Sequence, residues 1–243
     1  MDSKEKLRKQ VWVQLRAVAQ PDSRFHWDFN KFIPDFENSE VCAETICRTP
    51  YYQSAKTVLA TPDNSLTSFR LRCLIDQKSL IIPTYGMGRG FMLLEPSDFP
   101  KEMSEFAATL DGIERFAHSY PIFESGIQKA PDLMISGASV LNREGVRISS
   151  EPNYFDIEWL VLSFLHLVTD QTPIMTIVHN CQIVDMHYDP MPYSLVTDLI
   201  VTPTNTYTTG GRYPRPEPSV LRTLPWEVLH EIPILRELGS EEI

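Results

Sequence analysis

The sequence lacks any apolar run near the ~20 residues that a membrane-spanning helix needs. It begins with the charged stretch MDSKEK, which has no apolar core of the kind that secretory signals carry. Internal repeats and low-complexity linkers are also absent. We therefore expect a cytoplasmic protein with no membrane partner and a single domain over residues 1–243, in which residues 1–50 form a helical and irregular extension.

Cysteine is scarce, and its spacing excludes the usual metal motifs. The four cysteines (Cys42, Cys47, Cys73 and Cys181) form no C-x-x-C pair and no Cys/His group at zinc spacing. This pattern favours free buried thiols in a reducing compartment.

Positively charged residues are fewer than negatively charged ones, since the formal net charge is -10 and the pI is about 5.1. A nucleic-acid partner is not expected, because nonspecific binding needs a positive surface that displaces counterions. A small anionic ligand is still compatible, because a local basic pocket can exist in an acidic protein. Apolar residues make up 42% of the chain, which predicts a sizeable core.

Short apolar runs alternate with stretches of helical periodicity along the chain. This alternation predicts an α/β fold, with three layers around a mostly parallel, doubly wound sheet. Ligands in such folds bind where loops follow the carboxyl ends of strands, so the loops after Pro83, Ser136, Val178 and Thr202 are candidate site loops. The predicted helices cover 3–18, 43–49, 65–76, 101–116 and 156–168, and the predicted strands cover 57–60, 79–83, 133–136, 173–178 and 199–202.

One segment carries a recognisable pattern. The run 145–156, GVRISSEPNYFD, keeps four positions of the signature G-x-R-x-G-x-G-x-G-Y-x-D, namely Gly145, Arg147, Tyr154 and Asp156. Further matches follow in order along the chain: KEKLR at 4–8, DLMISG at 132–137, TIVHNCQIVD at 176–185 and DLIVTPT at 198–204. Together these segments resemble the 5-formyltetrahydrofolate cyclo-ligase family, in its branch of methenyltetrahydrofolate synthase domain-containing proteins.

The resemblance implies a small-molecule substrate and two cofactors. Enzymes of the family bind Mg²⁺ and ATP, and convert 5-formyltetrahydrofolate to 5,10-methenyltetrahydrofolate by transferring a phosphoryl group to the formyl oxygen. Such transfer depends on positioning and charge neutralisation. By this resemblance, ATP phosphates would contact Lys4, Arg8, Arg147, Ser149 and Asn153.

Each of these phosphate contacts has a structural alternative. Lys4 and Arg8 share a helix face and could form a solvated basic surface instead. Arg147 could bind two phosphate oxygens, or pair with an acid such as Glu144. The motif also places a magnesium ligand at Asp156, although a carboxylate at a helix N-terminus favours a capping role, and one residue can serve both.

The phosphate loop has lost its glycines. Ser149, Glu151 and Asn153 stand where the signature has glycine, and Pro152 removes an N–H donor. Added bulk and a negative charge predict weakened ATP binding by this loop.

Other candidates flank the strand ends. His179 follows a buried strand and could act as an acid or base with Arg147 and Tyr154, or be a structural histidine. Gln182 belongs to the same motif and is a candidate substrate contact. Tyr85, Met87 and Arg89 are further candidates, on a loop that is interpreted as a flexible lid over the ligand.

Three functions therefore stay open. The first is a cyclo-ligase-like protein that binds a folate-like or other small nitrogen heterocycle. The second is a repurposed, ATP-independent enzyme on the same scaffold, and the third is a non-catalytic binding or scaffold protein. The oligomeric state is not predicted by the sequence.

Overall fold

The structure, a computed structural model, describes residues 3–29, 32–124, 129–149 and 153–240. Its centre is an eight-stranded sheet, and a separate pair of short strands lies beside it. The strands of the described residues are β1 (Thr57–Ala60), β2 (Ser79–Pro83), β3 (Phe91–Leu94), β4 (His118–Tyr120), β5 (Leu133–Ser136), β6 (Leu141–Asn142), β7 (Ile174–Ile177), β8 (Ile183–Val184), β9 (Leu199–Val201) and β10 (Thr206–Thr208).

The order of strands in the large sheet is β10-β9-β7-β5-β1-β2-β3-β4. The five central strands, from β9 to β2, run parallel, while β10, β3 and β4 pair antiparallel at the two edges. The predicted mostly parallel sheet is thereby confirmed, and β1, β2 and β5 begin and end where the sequence predicts. The antiparallel edge strands were not predicted.

Helices cover both faces of the sheet. The helix expected over 3–18 ends at Leu15, and the helix expected over 156–168 begins at Tyr154. None of the helices described here is long and apolar enough to cross a membrane. The α-helices are α1 (Ser3–Leu15), α2 (Ser39–Cys47), α3 (Pro50–Ser54), α4 (Thr67–Ile75), α5 (Ser104–Ala107), α6 (Leu110–Phe116), α7 (Tyr154–Phe164), α8 (Trp226–Glu231) and α9 (Pro233–Ser240).

Two hydrophobic cores lie on opposite faces of the sheet. Side chains alternate along a strand, so Val58 and Ala60 of β1 pack into the core with α2 and α4, whereas Leu59 packs into the core with α7 and α9. Strand β5 behaves in the same way, with Ile135 in the first core and Met134 in the second. This arrangement gives the expected three layers.

Candidate functional site

A cavity of about 520 Å³ opens at the carboxyl ends of the central strands. Its wall includes Thr61 after β1, Thr84 after β2 and Ser136 at the end of β5. After β1 the chain adds β2 on one side of β1, and later it adds β5 on the other side. The strand order therefore reverses between β1 and β5. Ligands of open α/β sheets bind at such a switch point. Of the four candidate loops, those after Pro83 and Ser136 line this cavity.

Asp63 connects the two strand ends at the switch point. Its Oδ2 accepts hydrogen bonds from the backbone N–H of Gly137, at 2.8 Å, and from the hydroxyl of Thr61. Burial raises the pKa of Asp63, and these two donors act against that rise. The bonds hold a carboxyl group of fixed orientation in the cavity wall.

Arg147 reaches the same region from the segment after β5. Its Nη1 donates to the carbonyl of Leu195 at 2.8 Å, and its Nη2 donates to the hydroxyls of Ser136 and Thr176 at 2.6 and 2.7 Å. The guanidinium also lies over the ring of Phe155, 4.6 Å from its centroid. Burial lowers the pKa of Arg147 to about 10, although nearby carboxyl groups raise it. Most of the guanidinium is therefore used to tie β5 and β7 to the segment before β9.

A tight turn places Arg147 at this point. Asn142 Oδ1 accepts from the backbone N–H groups of Glu144 and Val146, which closes the turn. Gly145 has a φ of +85°, and a Cβ there would lie 2.4 Å from the carbonyl oxygen of Thr197. Only glycine fits this position. The expected alternative partner of Arg147, Glu144, instead contacts His187 and Arg212.

The N-terminus of α7 forms another part of the wall. Asn153 lines the cavity, and its Oδ1 accepts from the N–H of Asp156 at 3.1 Å. Asp156 completes the capping box, because its Oδ2 accepts from the backbone N–H of Asn153 at 3.3 Å. The same Oδ2 accepts from Asn153 Nδ2 at 2.7 Å, and Oδ1 accepts from the N–H of Leu195 at 2.8 Å. Burial raises the pKa of Asp156 to about 6, against the effect of these donors. Asp156 is 1% exposed and lies behind the cavity wall.

Glu158, one turn beyond Tyr154, is a second carboxyl group of the cavity. It is 3% exposed, and its Oε2 has no hydrogen-bond partner among the described residues. The pKa of Glu158 is raised well above its ordinary value. Burial is the largest cause, and the neighbouring Asp63 acts in the same direction.

Helix α1 contributes two side chains to the cavity wall, Arg8 and Trp12. Trp12 Nε1 donates to the hydroxyl of Ser139 at 2.6 Å, which fixes the helix against the loop after β5. Arg8 lies one turn earlier on the same face and lines the cavity, and its Nε is buried without a partner in the described part of the chain. Phe29 and Phe32 continue this wall, with their ring centroids 5.6 Å apart.

Two tyrosines lie at the rim. Tyr85, from the loop after β2, is 64% exposed and stacks on Phe25 at 6.0 Å. Tyr154 is 51% exposed and covers Gly86, where an added Cβ would lie 3.5 Å from the tyrosine hydroxyl. Both residues line the cavity, as does Ser149.

The remaining candidate residues lie outside the cavity. Lys4 is not part of its wall, although it shares α1 with Arg8. Met87 is fully buried in the core, so the loop after β2 is anchored rather than a free lid. Arg89 is paired with Glu114 and lines a separate pocket of about 250 Å³ beside α9.

His179 and Gln182 hold in place the loop after β5, which lines the cavity. Gln182 is fully buried, and its Nε2 donates to the carbonyl of Ala138 at 2.6 Å, while its Oε1 accepts from the N–H of His179. His179 Nδ1 accepts from the N–H of Cys181, and the ring packs edge-on to Phe36. Burial lowers the pKa of His179. Their proposed catalytic and substrate-binding roles stay predictions, and the observed contacts position the backbone.

The fit of Mg²⁺ and ATP to these residues is incomplete. Both oxygens of Asp156 accept protein hydrogen bonds, and no group of three or more His, Cys, Asp or Glu residues in the described ranges could hold a metal ion. Arg8, Ser149 and Asn153 do line the cavity, but Glu151 and Pro152 of the altered loop lie outside the described residues. Asp156 as placed here does not fit the role of a magnesium ligand.

Sequence patterns did not single out Asp63 and Glu158, two carboxyl groups of the cavity wall. Asp63 follows the correctly predicted β1, but the loop after that strand was not among the candidate site loops. Glu158 had a signal, because it is a charged residue within an otherwise apolar helical segment, four residues after Tyr154.

The fold and cavity define an α/β protein with a cavity at the switch point of a doubly wound sheet. The chain belongs to the 5-formyltetrahydrofolate cyclo-ligase family, whose family model matches residues 1–193. The resemblance in the sequence motifs is thereby confirmed.

Curated relatives are similar over nearly the whole chain. The methenyltetrahydrofolate synthase domain-containing protein of Homo sapiens is 29% identical over 244 residues, which cover 99% of this chain and 62% of the human protein. The Bos taurus protein of the same name is also 29% identical, with 99% and 63% covered. The chain therefore spans somewhat less than two thirds of the length of these relatives.

A solved structure supports the fold. The NMR structure of 5,10-methenyltetrahydrofolate synthetase from Aquifex aeolicus aligns with a TM-score of 0.53 and 17% identity, covering 86% of this chain and 95% of that protein.

Proposed function

We propose that this protein binds a reduced folate of the 5-formyltetrahydrofolate type, or a closely related nitrogen heterocycle, in the switch-point cavity. Family membership supports a folate-like ligand. The volume of about 520 Å³ is within the range of small-molecule sites, about 300 to 1,000 Å³.

The observation that carries the proposal is that Asp63 and a group of aromatic side chains line the same cavity. A bicyclic ring with N–H groups on one edge needs a carboxyl acceptor at that edge and flat apolar surfaces along its faces. Asp63 offers the acceptor, and Trp12, Phe29 and Phe32 offer the surfaces. Arg8 adds a positive charge, which suits the acidic tail of a folate.

We further propose that the ligand binds without ATP-dependent ring closure. Asp156 is engaged in the capping box of α7, and Arg147 uses both terminal nitrogens on protein oxygens. Together with the lost glycines, this arrangement favours the ATP-independent alternative over the parent cyclisation. Cytoplasmic location and the absence of a nucleic-acid partner remain parts of the proposal that follow from the sequence.

Calorimetric titration with 5-formyltetrahydrofolate in the absence of nucleotide tests the proposal. We expect saturable binding at one site, which Asp63→Asn weakens about tenfold, because the amide presents an N–H in place of one acceptor oxygen. Asp170→Asn, a surface change remote from the cavity, is the matched control. Equal affinities of the two variants would refute the role of Asp63, and an absence of binding by the unaltered protein would refute the ligand.

A further inference from the structure

Glu158 is the most unusual group in the cavity. It lies on α7 among buried apolar neighbours such as Ile157 and Trp159, yet it carries a carboxyl group that is 3% exposed. Among the described residues its Oε2 has no hydrogen-bond partner. A buried polar atom without a partner costs stability, so such an atom in a ligand cavity marks a place where a ligand supplies the missing partner.

The charges around Glu158 favour its uncharged form. Asp63, on the loop after β1, and Asp156, on the same helix, both act against ionisation. Arg147 acts in favour, but its guanidinium is already bound to Leu195 and Ser136. Burial has the largest effect and raises the pKa of Glu158 well above its ordinary value. The other charged side chains of the cavity wall are Arg8 and Glu231 in the described part of the chain.

An uncharged carboxyl group can donate a hydrogen bond, which a carboxylate cannot do. We propose that Glu158 is a specificity-determining residue of the cavity, whose carboxylic acid O–H donates to an oxygen acceptor of the bound heterocycle. This inference rests on the proposed ligand class and names a contact within it. Asp63 and Glu158 then have opposite roles, since Asp63 accepts from ring N–H groups and Glu158 donates to a ring or formyl oxygen.

The contact would discriminate strongly between ligands. A ligand without an oxygen at this place would leave the O–H of Glu158 buried and unsatisfied, and sites built around such a group reject analogues that lack the matching atom. The same reasoning predicts opposite effects on stability and affinity. Removing the carboxyl group relieves an unsatisfied buried group in the empty protein, yet removes a bond in the complex.

Two substitutions of similar length separate these effects. Glu158→Met removes the donor and keeps the volume, whereas Glu158→Gln keeps an N–H donor without a titratable group. For Glu158→Met we expect a melting temperature equal to or above that of the unaltered protein, together with an affinity for 5-formyltetrahydrofolate about tenfold lower. For Glu158→Gln we expect an affinity within about threefold of the unaltered protein.

Calorimetry and thermal denaturation of the three proteins test the inference. Unchanged affinity of Glu158→Met would overturn it, as would a loss of affinity in Glu158→Gln equal to that of Glu158→Met, since a carboxylate would then be the required form. If Glu158→Met does not fold, Glu158→Leu removes the same donor and takes its place, and unchanged affinity of that variant would overturn the inference. Failure of the unaltered protein to bind 5-formyltetrahydrofolate would instead refute the proposed function, and this inference with it.

Discussion

Replacing Arg147 by methionine tests whether this arginine holds the site together. The substitution removes three hydrogen bonds, which join β5 and β7 to the segment before β9. Methionine keeps an unbranched apolar stem that can still contact Phe155. The carbonyl of Leu195 and the hydroxyl of Ser136 would lose this donor, whereas Thr176 keeps its bond to Thr197.

The expected loss of stability follows from these contacts. At about 1 to 1.5 kcal/mol for each bond, three bonds give about 3 to 4.5 kcal/mol. For a chain of 243 residues, about 2 to 4 °C per kcal/mol converts this loss into a fall in melting temperature of about 6 to 18 °C.

Thermal denaturation of Arg147→Met, followed by circular dichroism, measures the fall. Arg222→Met, at an exposed position, is the matched control and should change the melting temperature by less than about 2 °C. If Arg147 mainly binds phosphate, Arg147→Met will keep its melting temperature and change only the affinity for Mg-ATP. That result would refute the structural role of Arg147.

Three further predictions concern the same region. Gly145→Ala should lower the free energy of unfolding by more than about 2 kcal/mol or prevent folding, because its Cβ would meet the carbonyl of Thr197; urea denaturation measures this. Asn153→Ala should cost about 1 kcal/mol by removing the cap that bonds Asp156, visible in the same assay. Glu158→Gln should flatten the pH dependence of the free energy of unfolding. Because the pKa of Glu158 is raised in the folded state, this group stabilises the unaltered protein below pH 4.5. The stabilisation is lost as pH rises toward the pKa of the folded state, by at most about 1.4 kcal/mol per pH unit. Parallel urea titrations of both proteins from pH 4.5 to 8 would show equal slopes if Glu158 were ionised throughout.

The strands that build the site could be predicted because they are continuous apolar runs. Strands β1, β2 and β5 are covered on both faces of the sheet. Consecutive residues therefore all face a core, so each strand appears in the sequence as an unbroken apolar run. The edge strands β4 and β10 have weak signals, because each is three residues long and mostly exposed. Strand β3, in contrast, is the apolar run FMLL, which sequence reasoning missed. Helix α7 begins at Tyr154 because Asn153, rather than Asp156, is the capping residue.

The lining of the candidate site was predicted in part for a related reason. Loops at the carboxyl ends of strands could be expected near a ligand, and Arg147 and Tyr154 do line the cavity. The bond between Asp63 and Gly137 joins residues 74 positions apart, and it exists only because β1 and β5 are neighbours in the sheet. Sequence periodicity contains no information on such a pairing. For His179, the motif gave a position next to a strand end but not the direction of the side chain.

The central claim is that the switch-point cavity holds the folate ring while Asp156 holds no metal ion. A crystal structure of the protein grown with 5-formyltetrahydrofolate and Mg-ATP tests it most directly. We predict density for the ring between Asp63 and Phe29, with Asp156 still bonded to Asn153 and Leu195. Density for Mg²⁺ on Asp156, or for the ring at any other place, would contradict the claim.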